Sequence, residues 1–175
     1  PRNRREGGCR KAVIVTGEDV AVAAWVAARL PDLQVYGGEL DTSKFRAIGV
    51  TIDGAPAAGV VYYNKTATGI EMAVASDNPR AWTPAFMFSI FSYPFDQLGC
   101  QRITVTVRVK NKRSRRLIEG AGFKLEGRLR RWMSDGTDAH VYSYLADEFR
   151  ESRWSRNVER RQKGAEQQRP ELPAG

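Results

Sequence analysis

The chain has 175 residues, 42% of them hydrophobic, and a formal net charge of +8, which is one domain's length with material for a core. No uncharged apolar run approaches a membrane span and no signal-peptide pattern is visible, so a transmembrane helix is excluded and a cytoplasmic protein expected. Cys9 and Cys100 lie far apart and His140 is the only histidine, which excludes a structural zinc site and leaves reduced thiols as the simple reading.

Residues 1–11 carry a net +4 and read as a flexible basic terminus. Ala12–Val15 predicts a short strand. Thr16-Gly-Glu-Asp19 resembles a helix-opening box with acids in the first turn. Helix 18–30 follows, with Val22, Trp25, Val26 and Leu30 at helical spacing, until Pro31 stops it. After a loop holding Gly37-Gly38, three strands form a meander. Phe45–Ile52 leads through the hairpin signal Asp53-Gly54 into Ala57–Tyr63, and a turn near Asn64-Lys65 leads into Thr68–Ala75. A loop over 76–83 precedes a long helix, Pro84–Leu98. Its apolar stripe is Met87, Ile90, Phe91, Phe95 and Leu98, with a kink at Pro94 and a stop at Gly99. A strand 102–108, a helix 112–120 and two strands near 123–133 and 139–145, joined by Ser134-Asp-Gly-Thr137, complete the order. Beyond residue 150, Trp154 is placed to dock, Arg160-Arg161 predict a solvated helix, and Pro170–Gly175 a disordered end.

The charge is uneven. Ten basic residues fall between Arg108 and Arg131 against only Glu119 and Glu126, and residues 150–175 add +3. A basic block of this kind suits a ligand bearing phosphates, or nucleic acid; the basic ends also read as solvated tails.

The most informative stretch is the alternating strand Arg102-Ile-Thr-Val-Thr-Val-Arg108 followed by Asn111-Lys-Arg-Ser114, a short basic helix and Gly122-Phe123. Asn111 can cap the helix, Gly122 can end it in the left-handed conformation, and Phe123 re-enters the core. This arrangement resembles the second half of the cofactor site in GNAT acyltransferases, nearest the ribosomal-protein N-terminal acetyltransferase branch and its phage relatives. The element order over about residues 12–150 is similar to theirs as well. The resemblance implies an α+β fold: a mixed, mostly antiparallel twisted sheet with helices on both faces and splayed central strands. It sets a domain at 12–150 between the basic terminus 1–11 and a C-terminal extension 151–175. It also implies acetyl-CoA as cosubstrate, no metal, and a primary amine as acceptor (a protein N-terminus, a lysine or a small amine), with a monomer or homodimer acting.

Residue by residue, the resemblance implies that Val74 and Ala75 offer strand backbone to the pantetheine arm. Arg80-Ala-Trp-Thr-Pro-Ala85 stands where the family's phosphate loop lies: Arg80 and Ala85 match, Thr83 replaces a glycine, and Pro84 brings no N–H. Thr83 can still cap the following helix, and Trp82 is either a cofactor contact or an aromatic plug. Asn111 and Ser114 are implied at the thioester end, with Asn111 a helix cap, a ligand contact or both. Arg113, Arg115 and Arg116 are within reach of phosphates. Glu71 is implied as the carboxylate that relays the amine proton, or else faces solvent or a cross-strand arginine. Ile118 stands where relatives often carry a tyrosine acid, so Ser114, Tyr142 and Tyr144 become the candidates, with Tyr142 preferred. His140, Tyr142 and Tyr144 share one face of their strand. The competing readings are a GNAT-fold protein that modifies or binds DNA, RNA or aminoacyl-tRNA, and a non-catalytic assembly protein with an empty groove.

Overall fold

The structure, a computed structural model, describes residues 11–30, 32–33 and 44–156. Expectations for Cys9, Pro31, Gly37-Gly38, Arg160-Arg161 and Pro170–Gly175 lie outside the described residues. The elements, in chain order, are β1 (Ala12–Val15), α1 (Asp19–Ala27), β2 (Arg46–Ile52), β3 (Ala55–Tyr63), β4 (Gly69–Ser76), α2 (Pro84–Ser92), β5 (Arg102–Arg108), α3 (Lys112–Ala121), β6 (Lys124–Leu129), β7 (Ala139–Leu145) and α4 (Ala146–Arg150). Seven strands form one sheet in the order β1-β2-β3-β4-β5-β7-β6. Every pairing is antiparallel except β4 with β5. This is the GNAT architecture.

The turns follow local chemistry. Asp53 and Gly54 both take positive φ, 53° and 82°, the geometry that a two-residue hairpin needs to match strand twist. The helix-opening box expected over residues 16–19 is not a cap. The residue ahead of α1, Glu18, makes no capping bond, and Asp19 accepts from the Ala47 N–H at 2.5 Å, tying α1 to β2.

Helices cover both faces. On one face α2, α3 and α4 bury a core that includes Val50, Val60, Ile70, Met72, Phe91, Ile103, Tyr142 and Phe149. On the other, α1 lays Ala23 and Val26 over Ala47, Val61 and Ala75. That helix comes close because two glycines, Gly49 and Gly59, face each other across β2 and β3 beneath it. A Cβ on Gly59 would lie 2.7 Å from Val26 Cγ2.

The expected long helix is interrupted. After Ser92 the chain makes a π-helical turn over Tyr93–Gln97, with the Leu98 N–H donating to the Tyr93 carbonyl at 3.1 Å. Pro94 is the cause, since it has no N–H for the carbonyl of Ile90. The buried Tyr62 hydroxyl donates to that orphaned carbonyl at 2.7 Å instead. Helix α3 ends as expected: Gly122 has φ 117°, and the N–H groups of Gly122 and Phe123 close on the carbonyls of Glu119 and Ile118. Trp154 docks on the same helix end, its Nε1–H donating to the Ala121 carbonyl at 2.7 Å.

Candidate active site

The parallel partners β4 and β5 pair at only three positions, Gly69 with Arg102, Ile70 with Ile103 and Glu71 with Thr104. Beyond them β4 runs on to Ser76 paired only with β3, and β5 runs on to Arg108 paired only with β7. The strands therefore splay into a cleft. One wall is the unpaired backbone edge of residues 72–76, including Val74 and Ala75. Helix N-termini stand at the open end on both sides: α2 follows β4, and α3 follows β5.

Glu71 sits at the last paired position, the closed end of the cleft. Its neighbours Ile70 and Met72 enter the main core, so its carboxylate is on the α1 face. It is half-buried and accepts from Asn64 Nδ2 at 3.2 Å. Asn111 caps α3 with its carboxamide oxygen, which accepts from the Ser114 N–H at 3.0 Å, and its NH2 group remains for a ligand. Ser114 is half-buried in the first turn of the same helix.

The loop at the mouth holds a tight turn over Pro79–Ala81 before α2. Its donors are engaged within the loop. The Arg80 N–H goes to Asn78 Oδ1, those of Ala81 and Trp82 to the carbonyls of Asn78 and Pro79, and that of Thr83 to Ala81. Thr83 Oγ1 caps α2 by accepting from the Phe86 N–H at 3.2 Å. Ala85 keeps the one unengaged N–H of the 80–86 segment among the described residues, Pro84 having none. Trp82 packs on Phe86 with ring centroids 5.6 Å apart, and the Arg80 side chain is exposed. The segment thus offers an exposed arginine and a single unengaged N–H in place of a cradle of amides.

Tyr142, Arg115 and Tyr144 are packed within the fold. Tyr142 is fully buried between β7 and α3: its hydroxyl donates to Glu119 Oε1 at 2.9 Å and accepts from Arg115 Nε at 3.2 Å. Burial pushes its pKa up. Arg115 is held by that contact and by the Val109 carbonyl at 3.3 Å, so it packs α3 on the sheet instead of reaching for the mouth. Tyr144 lies among Phe91, Phe95, Phe123 and Phe149, and Ile118 is core.

A network that the sequence gives no sign of roofs the α1 face at the open end. Arg108, on the free limb of β5, donates from Nε to Asp32 at 3.0 Å and from Nη1 to Asp135 and to Thr137 Oγ1 at 2.9 Å. Asp32 also accepts from the Ser134 N–H at 3.1 Å. The partners are 76 and 102 residues apart, beyond any local pattern. Ser134 first and then Arg108 hold the Asp32 carboxyl below its usual range; Thr137 first and then Arg108 do the same for Asp135. Lower on this face, Arg102 and Ser143 donate to Glu126 and depress its pKa, Arg102 more strongly. Among the described residues no cluster of His, Cys, Asp or Glu could hold a metal ion, and no helix is long and apolar enough to cross a membrane.

A family model described as acetyltransferase (GNAT) domain matches residues 41–133. No curated protein matches the sequence. Among solved structures, RimJ of Mycobacterium smegmatis in complex with CoA-disulfide is 19% identical, with a TM-score of 0.57 over 85% of this chain and 88% of that one. A spermidine N-acetyltransferase SpeG variant from Vibrio cholerae is 14% identical, with a TM-score of 0.61 over 79% and 95%. A third, a probable acetyltransferase, is 23% identical with a TM-score of 0.54; 60% of this chain covers 64% of it, less than two thirds of that protein's length. At these identities the likeness is one of fold.

Proposed function

The chain belongs to the GNAT acetyltransferase family, and we propose that it is an N-acetyltransferase moving an acetyl group from acetyl-CoA to a primary amine. The observation that carries this reading is the splay of β4 from β5, which leaves a strand edge and two helix N-termini facing one cleft. The family uses acetyl-CoA, which supplies an activated acyl carbon. Everything else falls to the chain. The backbone of Val74 and Ala75 takes the pantetheine arm as an added strand. The Arg80 side chain, the Thr83 hydroxyl and the Ala85 N–H receive the phosphates at the mouth, with Trp82 packed beside them. The Asn111 NH2 group and the Ser114 hydroxyl orient the thioester end.

Glu71 takes the proton of the incoming amine, and its place at the closed end of the cleft, on the face opposite α2, suits an acceptor arriving from the α1 side. Arg115 acts indirectly, by seating α3. With the Tyr142 hydroxyl bound to Glu119, the proton for the departing thiolate comes from Ser114 or from water. A protein N-terminus, a lysine and a small amine all offer the same nucleophile. Calorimetry with acetyl-CoA tests the reading: saturable binding with a rise in melting temperature is expected, and Arg80→Ala weakens it. Absence of binding at millimolar acetyl-CoA would overturn it.

A further inference from the structure

The open end of the sheet carries an electropositive surface that extends beyond the cleft. The turn after β5 and the loop after β6 meet there. The Val109 N–H donates to the Asp138 carbonyl at 3.1 Å, while the Asp138 carboxylate accepts from the Arg131 N–H at 2.8 Å and from Arg128 at 2.7 Å. Lys110 and the Arg130–Arg131 pair are thereby set on either side of Asp138, and Lys112 follows on α3. The acids of this region are already engaged, Asp135 by Arg108 and Asp138 by Arg128. Among the described residues Lys110, Lys112, Arg130 and Arg131 form no ion pair, so the surface stays positive.

An aromatic ring lies within it. The loop is fastened by buried Met133, whose N–H donates to the Thr137 carbonyl at 3.0 Å. Arg131 takes φ 52°, a conformation L side chains seldom adopt, and the outcome is Trp132 held 57% exposed beside the arginines. A hollow of about 550 Å³ lies against Arg128, Leu129, Arg130 and Arg131. The part formed by Arg130, Arg131 and Trp132 is two strands beyond the cleft, in the order β5-β7-β6, so a donor lying between β4 and β5 does not fill it.

We propose that this surface binds single-stranded nucleic acid, with Lys110, Lys112, Arg130 and Arg131 on backbone phosphates and Trp132 stacked on a base. Cations that form no ion pair among the described residues fit a polyanion, and an exposed indole beside them fits an unpaired base, whose π-face a duplex would hide. The proposal stands apart from the acetyl-transfer reading, because Arg130, Arg131 and Trp132 lie on the loop after β6, two strands from the cleft.

The test uses the full chain and a fluorescein-labelled oligouridylate of roughly 20 nucleotides, followed by anisotropy between about 50 and 200 mM salt. Binding should weaken steeply with salt. Arg130→Ala with Arg131→Ala should flatten the logarithmic slope by about 1.4, or about 0.7 per lost phosphate contact. Trp132→Ala should weaken binding roughly 10-fold with the slope unchanged. Lys110→Glu with Lys112→Glu is a second variant in another element, and it should also abolish most binding. Millimolar acetyl-CoA should not compete, and the Arg130/Arg131 and Trp132 variants should keep the wild-type affinity for it. The proposal falls if the oligonucleotide does not bind at low salt. Unchanged slopes in both multiple variants overturn it by assigning binding to the basic ends, and displacement by acetyl-CoA overturns it by assigning binding to the cleft. Equal displacement by polyglutamate, with no effect of Trp132→Ala, would make the surface a docking site for an acidic protein.

Discussion

Asn111 and Tyr142 are equally conspicuous in the sequence, yet only one has a role set by its neighbours in the chain. A helix cap needs an acceptor three residues ahead of a donor, and Asn111 with the Ser114 N–H meets that locally. The fate of Tyr142 depends on Glu119 and Arg115, 23 and 27 residues away, and on where α3 crosses the sheet. Period-two alternation places its side chain on the correct face but is silent on what that face meets. Tyr142→Phe should therefore lower stability by about 1 kcal/mol and leave the rate of acetyl transfer unchanged. A hundredfold loss of rate without loss of cofactor affinity would return the hydroxyl to the chemistry. For Glu71 the expectation is opposite. Glu71→Gln should cut kcat/KM by about 10² or more at neutral pH while calorimetry finds acetyl-CoA bound as before. A rate within a few fold of the parent would leave Glu71 as no more than the acceptor for Asn64.

Among the elements, strand and helix positions are legible because periodicity and turn residues act over a few positions, as at Asp53-Gly54 and Gly122. Pro94 announces a break in its helix, but its repair does not follow from local sequence. The carbonyl that loses its donor belongs to Ile90, and the group that satisfies it is on β3, 28 residues earlier. Tyr62→Phe removes one oxygen and leaves that carbonyl buried and unpaired, so chemical denaturation should find a loss of about 1–3 kcal/mol. A change of a few tenths would mean that the π-turn tolerates the vacancy. The glycines under α1 are a comparable case. Neither Gly49 nor Gly59 is in a turn, and their purpose appears only when β2 and β3 are in register and Val22 and Val26 descend on them.

At the level of the whole molecule, the roof over the α1 face joins Asp32, Arg108 and the 134–137 turn into one tie between distant parts of the chain. Both aspartates have folded-state pKa values depressed below their unfolded ones. Their contribution to stability is thus complete above about pH 4, the ordinary aspartate range, and is lost as pH falls through the depressed folded values. Arg108→Ala should flatten the acid limb of stability against pH; identical acid limbs in both proteins would show that the tie is too well solvated to matter.

The strand order has a consequence in time as well as in space. β6 leaves the ribosome before β7, yet it borders the sheet only through β7, which lies between it and β5. Until residues 139–145 emerge, β6 has no neighbour and β5 has an empty flank, the slow kind of non-local pairing. Tyr144, needed by the rings around Phe91, arrives with β7 itself, Phe149 follows it, and Trp154, which closes the end of α3, comes later again. A nascent chain halted before residue 139 would hold every cleft-lining candidate, from Glu71 to Ser114, on an unfinished sheet. Assembly of the cleft is thus deferred until β7 has been made, and a premature stop in that strand would yield a protein with its chemistry encoded but not assembled.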